Sequence, residues 1–101
     1  MKQLDKTGSL DVLFEIQKDL QQDPRRGPVI QGTNRARKAR VSKGKSTGKS
    51  GGFRYIYVYI EDIGTIYLLL LYAKDEQDDL TPQQKKQLGA VVMRIKDALK
   101  R

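Results

Sequence analysis

The sequence predicts an α+β fold: a small antiparallel sheet with N- and C-terminal helices packed on one face. Two neighbouring strand-like runs, FRYIYVYI and TIYLLLLY, are separated only by Glu61 to Gly64, too short a connection for a parallel crossover. Apolar residues at helical spacing lie before and after them, at Val12–Leu20 and Leu88–Leu99. At 101 residues the chain has room for one modest core, so residues 1–101 read as a single domain.

The elements follow in order. Ser9 suits an N-cap, Asp11 lies in the first turn where the helix dipole favours it, and Val12, Leu13, Ile16 and Leu20 form an apolar stripe. Asp23-Pro24 ends this helix, and Arg25 to Asn34, punctuated by Gly27-Pro28 and Gly32, reads as a loop. Arg37 to Ser42 suits a short strand with Ala39 and Val41 on one side and Lys38 and Arg40 on the other. Phe53 to Ile60 is aromatic or β-branched except at Arg54, and Thr65 to Tyr72, apolar on both faces, reads as a central strand. Thr81-Pro82-Gln83-Gln84 is a capping box with proline at the first helical position. It starts a helix expected to bury Leu88, Val91, Val92, Ile95 and Leu99.

With no Cys and no His, disulfides, thiol nucleophiles, imidazole acid–base chemistry and ordinary zinc sites are excluded. No cofactor or metal is expected. Residues 1 to 20 contain no apolar leader, and the longest apolar run, Ile66 to Ala73, has eight residues where a bilayer span needs about 20. The expectation is a soluble cytoplasmic protein with no membrane partner.

The net charge of +8 is unevenly distributed. Pro24 to Ile60 holds ten Lys/Arg and no Asp/Glu. A basic segment of this kind calls for an anionic partner, most often a phosphate backbone, with a solvated basic face as the plain alternative.

Within it, GKSTGKSGG resembles a nucleotide-binding loop and fails as one. The Walker pattern requires glycine five residues before the Gly-Lys-Ser ending, where this chain has Lys43, or Ala39 for the earlier Gly44-Lys45-Ser46. The loop also leads into a strand, not into a phosphate-binding helix N-terminus. What remains is a glycine- and serine-rich loop bearing Lys43, Lys45 and Lys49, between a strand with Lys38 and Arg40 and a strand opened by Arg54. If those strands pair, the cations converge. The row Tyr55, Tyr57, Tyr59 reads as hydrophobic packing with polar tips, with base stacking as the alternative.

The runs GPVIQGTNRARKARV, GKSGGFRYIYVY and IYLLLLYAKDEQDDLTPQQKKQL resemble the RelE/HigB superfamily of type II toxin–antitoxin toxins, in particular its HigB-like (phage Gp49-like) branch. The resemblance covers residues 4 to 98 and is most specific in AKDEQDDLTP and GKSGGFRY. It implies a RelE-like microbial RNase fold and a metal-independent, ribosome-dependent endoribonuclease that cleaves mRNA in the A site and stops translation. It also implies a cognate helix-turn-helix (HigA-like) antitoxin, through which operator DNA is met only indirectly. The family begins with a strand upstream of the segment matching Gln3 to Lys6, so a first strand is expected to be missing here, by truncation or a different gene start.

The chemistry implied is attack of a ribose 2′-OH on the adjacent phosphate, which needs a base, cations for the developing charge and an acid for the leaving 5′-oxygen. Without histidine, a lysine whose charged form is disfavoured by neighbouring cations must act as base. By position, the resemblance assigns catalytic roles to Lys38, Arg40, Arg54 and Lys74, while Arg35, Arg37, Lys43, Lys45 and Lys49 of the basic segment are the expected RNA contacts. Asp75 stands where the RelE branch has arginine, and Thr81 where it has a tyrosine, which leaves the acid open between Tyr72 and Glu76. Two other readings share the basic face: a non-catalytic RNA- or ribosome-binding module, and a regulatory protein that acts by binding the antitoxin.

Overall fold

The structure, a computed structural model, describes residues 9–41, 53–73 and 79–100. Helix α1 (Ser9–Gln22) is followed by β1 (Arg37–Arg40), β2 (Phe53–Ile60), β3 (Thr65–Ala73) and α2 (Pro82–Leu99). The three strands form one antiparallel sheet in the order β1-β2-β3, so the α+β class and the β2–β3 hairpin are as expected.

The helices do not share a face. Val12, Ile16 and Leu20 of α1 bury themselves with Val41, Tyr55 and Tyr57, whereas Leu88 and Val92 of α2 pack with Ile56, Val58 and Tyr72. Side chains alternate along β2, so these two clusters lie on opposite sides of the sheet. The expectation of one covered face is corrected for a reason visible in β2 itself. Both of its rows are large and apolar, and a sheet with two apolar faces must cover both.

Strand β3 lies at the edge of the described sheet, and β2 is its centre. The all-apolar run reported coverage of both faces by helices, not a central position. Its register with β2 slips at one point: Ile56 faces Leu70 and Tyr57 faces Leu68, leaving Leu69 as a bulge.

The loop before β1 is more ordered than its glycines and prolines suggest. It runs along the outer edge of β1, with Lys38 N–H donating to Pro28 O at 3.2 Å and Ile30 N–H to Ala36 O at 2.8 Å. Gly27 permits that approach, because a Cβ there would lie 2.4 Å from the Lys38 carbonyl oxygen. Below it, the buried Tyr57 hydroxyl accepts from Gly27 N–H at 3.2 Å and donates to Pro24 O at 2.8 Å. At the far end the backbone turns through positive φ at Gly32, Asn34 and Arg35. Thr33, fully buried, closes this turn by donating to Ile30 O at 2.7 Å and accepting from Ala36 N–H at 3.1 Å.

The capping box of α2 forms as its sequence implies. Gln84 N–H donates to Thr81 Oγ1 at 3.1 Å, and Thr81 N–H donates to Gln84 Oε1 at 2.9 Å. The buried stripe of α2 is narrower than expected: Leu88, Gly89 and Val92 are buried, while Val91 and Leu99 remain 40% and 41% exposed. Gly89 explains the shift. It brings the helix against the turn at Gly32–Asn34, and Asn34 Nδ2 donates to Gly89 O at 2.9 Å. The stripe therefore follows the glycine, and Val91 lies outside it.

Candidate nucleic-acid interface

Strand pairing brings three of the expected site residues into one line. Arg54, second in β2, has Arg40 of β1 directly opposite on one side and Tyr72 of β3 directly opposite on the other. Lys38, two residues before Arg40, lies on the same face of β1 by the period of the strand. This is the face that α2 covers further along, where Tyr72 joins Leu80, Leu88 and Val92.

Arg26, Lys38, Arg40 and Arg54, with Pro28 and Ala39, line a cleft of about 290 Å³. Two directly opposed arginines repel unless an anion stands between them. Neither Arg40 nor Arg54 forms an ion pair among the described residues. Burial sharpens this at Arg54, whose Nε is inaccessible and has no hydrogen-bond partner among the described residues. The Tyr72 hydroxyl shares that condition.

The other two cations of the cleft are held by the protein. Lys38 Nζ lies 3.2 Å from Asp79 Oδ1. The Asp79 carboxyl is held below the ordinary carboxylate range, first by the Leu80 N–H that it accepts and then by Lys38. Lys38 is thus engaged by a carboxylate of the protein itself. Arg26 Nη1 donates to Arg40 O at 2.8 Å and to Tyr55 Oη at 2.7 Å, and lies 3.3 Å from Asp19 Oδ2. It ties α1 to the sheet at the site's edge.

The remaining assignments separate. Arg37 donates to Gly27 O at 2.7 Å and to Arg25 O at 3.3 Å, an anchor for the loop. Arg35 lines a different cleft of about 450 Å³ with Tyr59, Glu61, Lys96 and Lys100. Neither joins the Lys38–Arg40–Arg54 cleft. Lys43, Lys45, Lys49, Lys74 and Glu76 lie outside the described residues. Tyr55 and Tyr57 are fully buried against α1 and offer no face to a base, in keeping with the packing reading.

Two participants escaped the sequence reading. Arg26 belongs to a loop whose path only the folded edge of β1 defines. Asp79 was visible only as one of several acidic residues after β3, with nothing to single out its pairing across 41 residues. No group of acidic side chains among the described residues is placed to hold a metal ion, and no described helix is long and apolar enough to cross a membrane.

A larger cleft, about 560 Å³, opens between α1 and β3 and is lined largely by apolar side chains such as Leu13, Ile16, Ile66 and Leu68. The basic cleft is smaller and shallower, which suits a polymer's phosphate lying on a surface better than an enclosed metabolite. No protein-family model matches this chain.

Proposed function

We propose that this protein is the toxin of a type II toxin–antitoxin system, of the RelE/HigB kind that its sequence resembles. On this reading it is a ribosome-dependent endoribonuclease that cleaves mRNA in the A site in the cytoplasm, and a helix-turn-helix antitoxin neutralises it. The observation that carries the proposal is the Arg40–Arg54 pair: two arginines face each other across β1 and β2 without a carboxylate partner among the described residues. A phosphodiester bridging them would relieve their repulsion and supply charge-assisted hydrogen bonds to both.

In that role Arg54 and Arg40 hold the scissile phosphate and stabilise the charge that develops as the 2′-OH attacks. Lys38, paired with Asp79, contributes a further cation at the cleft. The base on this reading is a lysine, Lys38 or Lys74, and the acid is Tyr72 or Glu76.

The decisive measurement maps mRNA 5′ ends in cells after induction of the wild type and of Arg54→Ala. New in-frame ends and growth arrest with the wild type, both absent in the variant, are expected. Normal growth and unchanged ends at verified expression of the wild type would refute the nuclease.

One observation favours a second reading, a non-catalytic RNA- or ribosome-binding module. Lys38 Nζ lies 3.2 Å from Asp79 Oδ1, a contact that occupies the lysine lining the basic cleft. That module would bind RNA in a salt-sensitive manner and change no transcript ends.

A further inference from the structure

Three observations meet in the Arg40–Arg54–Tyr72 row that crosses all three strands. Arg40 and Arg54 are directly opposed across β1 and β2. Arg54 Nε is buried without a hydrogen-bond partner among the described residues. The Tyr72 hydroxyl, on a residue only 7% exposed, is likewise unpaired, one strand further along.

Buried polar groups in folded proteins are nearly always paired, and two orphans on directly opposed residues are unusual. The contrast within this sheet is informative. Tyr55 and Tyr57 are also buried, and both of their hydroxyls are hydrogen-bonded, to Arg26, Gly27 and Pro24. The fold pairs the hydroxyls of Tyr55 and Tyr57 and leaves that of Tyr72 buried without a partner among the described residues.

We propose that Arg54 and Tyr72 together form a donor pair for one oxygen of a phosphate group, with Arg40 facing a second oxygen from β1. The unmet groups are an N–H on a cation and a hydroxyl that can turn its hydrogen toward an acceptor, beside a second cation. An anion with several oxygens completes all three, whereas a water completes the donors and leaves the arginine repulsion in place. Arg40 and Arg54 both line the basic cleft, and Tyr72 is the strand partner of Arg54 on β3. The phosphate belongs either to an RNA chain or to a free anion, and the donor set is the same for both. This inference deepens the proposed function and rests on it only for the identity of the polymer.

The test compares wild type with Tyr72→Phe, which fills the same space without the hydroxyl. Inorganic phosphate and a short single-stranded RNA serve as separate probes. Without anion, Tyr72→Phe is expected to melt at the same temperature as wild type or higher, because an unpaired hydroxyl has been removed. The rise in melting temperature with phosphate shrinks, and RNA binding weakens about tenfold, as loss of one hydrogen bond to a charged group implies. In wild type carrying ¹³C-labelled tyrosine, the ring-carbon resonance absent from Tyr72→Phe shifts on phosphate addition.

Equal phosphate and RNA binding by the two proteins, or a Tyr72 resonance unmoved by phosphate, overturns the donor pair. If the resonance shifts with phosphate while RNA is neither bound nor cut, the pair stands and the nuclease reading falls. If wild type and Tyr72→Phe bind and cut RNA alike, the nuclease stands and the pair falls.

Discussion

Lys38 Nζ lies 3.2 Å from Asp79 Oδ1, an ion pair that joins β1 to the residue two places before the Thr81 cap of α2. The same carboxylate oxygen accepts the Leu80 N–H at 2.8 Å. Asp79 thereby occupies a cation that lines the cleft, as an arriving phosphate oxygen would. On the proposed function, RNA must compete with it.

Replacing Asp79 with Asn removes that competition. Asp79→Asn is expected to bind short RNA a few-fold more tightly than wild type at low salt, with the difference shrinking as salt screens the exposed pair. Fluorescence anisotropy across a salt series measures it. Unchanged or weaker binding by the variant would show that Asp79 does not compete with the ligand.

Arg54→Ala and Arg40→Ala test the cleft itself. Each removes a charge-assisted contact, so RNA affinity should fall by about 10- to 100-fold, and the salt slope of log K should decrease by about one per lost phosphate contact. Because each substitution also removes a like-charge pair, neither should lower the melting temperature substantially. RNA affinity that survives both substitutions at full strength would place the interface elsewhere.

Gly27→Ala addresses the frame that positions Lys38. The added Cβ would lie 2.4 Å from the Lys38 carbonyl oxygen and 2.9 Å from its carbonyl carbon, so the backbone itself must move. A loss of about 1–3 kcal/mol is expected from urea unfolding, typical of overpacking against atoms that cannot rotate away. The melt of an equally stable variant would show that the loop adjusts freely along β1.

The pH dependence has two limbs. Glu61 is held below its ordinary range, chiefly by the hydrogen bond from Arg25, whose Nη2 lies 2.9 Å from Glu61 Oε1. A depressed carboxyl stabilises the fold above its ordinary value, near about 4, and that contribution fades as pH falls through the depressed one. Burial raises the Tyr55 and Tyr57 hydroxyls instead. Their contribution is complete below about pH 10 and lost as pH rises through the raised values. Glu61→Gln should flatten the acid limb of a stability-versus-pH curve and leave the alkaline limb unchanged. An acid limb identical to wild type would remove Glu61 from the account.

Much of the fold was legible because local chemistry and tertiary structure agree. The Thr81–Gln84 cap is a contact between residues three apart, and the β2–β3 hairpin follows from two β-rich runs and a four-residue turn. The convergence of Lys38, Arg40 and Arg54 was legible once β1 and β2 were taken to pair. Where the reading missed, the missing quantity was long-range. Both apolar rows of β2 were visible, but which helix covers which row depends on the path of the chain between them. The narrow stripe of α2 depends on Gly89 meeting a turn more than fifty residues earlier. Arg35 and Arg37 carry the same charge as Arg40, yet turn-and-edge geometry sends them to other partners.

Sequence by itself determined the elements and where the positive charge is concentrated, since strand and helix follow from side-chain period and Pro24 to Ile60 holds ten basic and no acidic residues. Tertiary structure alone decided which cations remain open. It engaged Lys38 with Asp79 and spent Arg26 and Arg37 on carbonyls, while leaving Arg40, Arg54 and Tyr72 in one row. Whether a buried polar group finds a partner is settled by atoms far apart in the chain, and no local pattern records it.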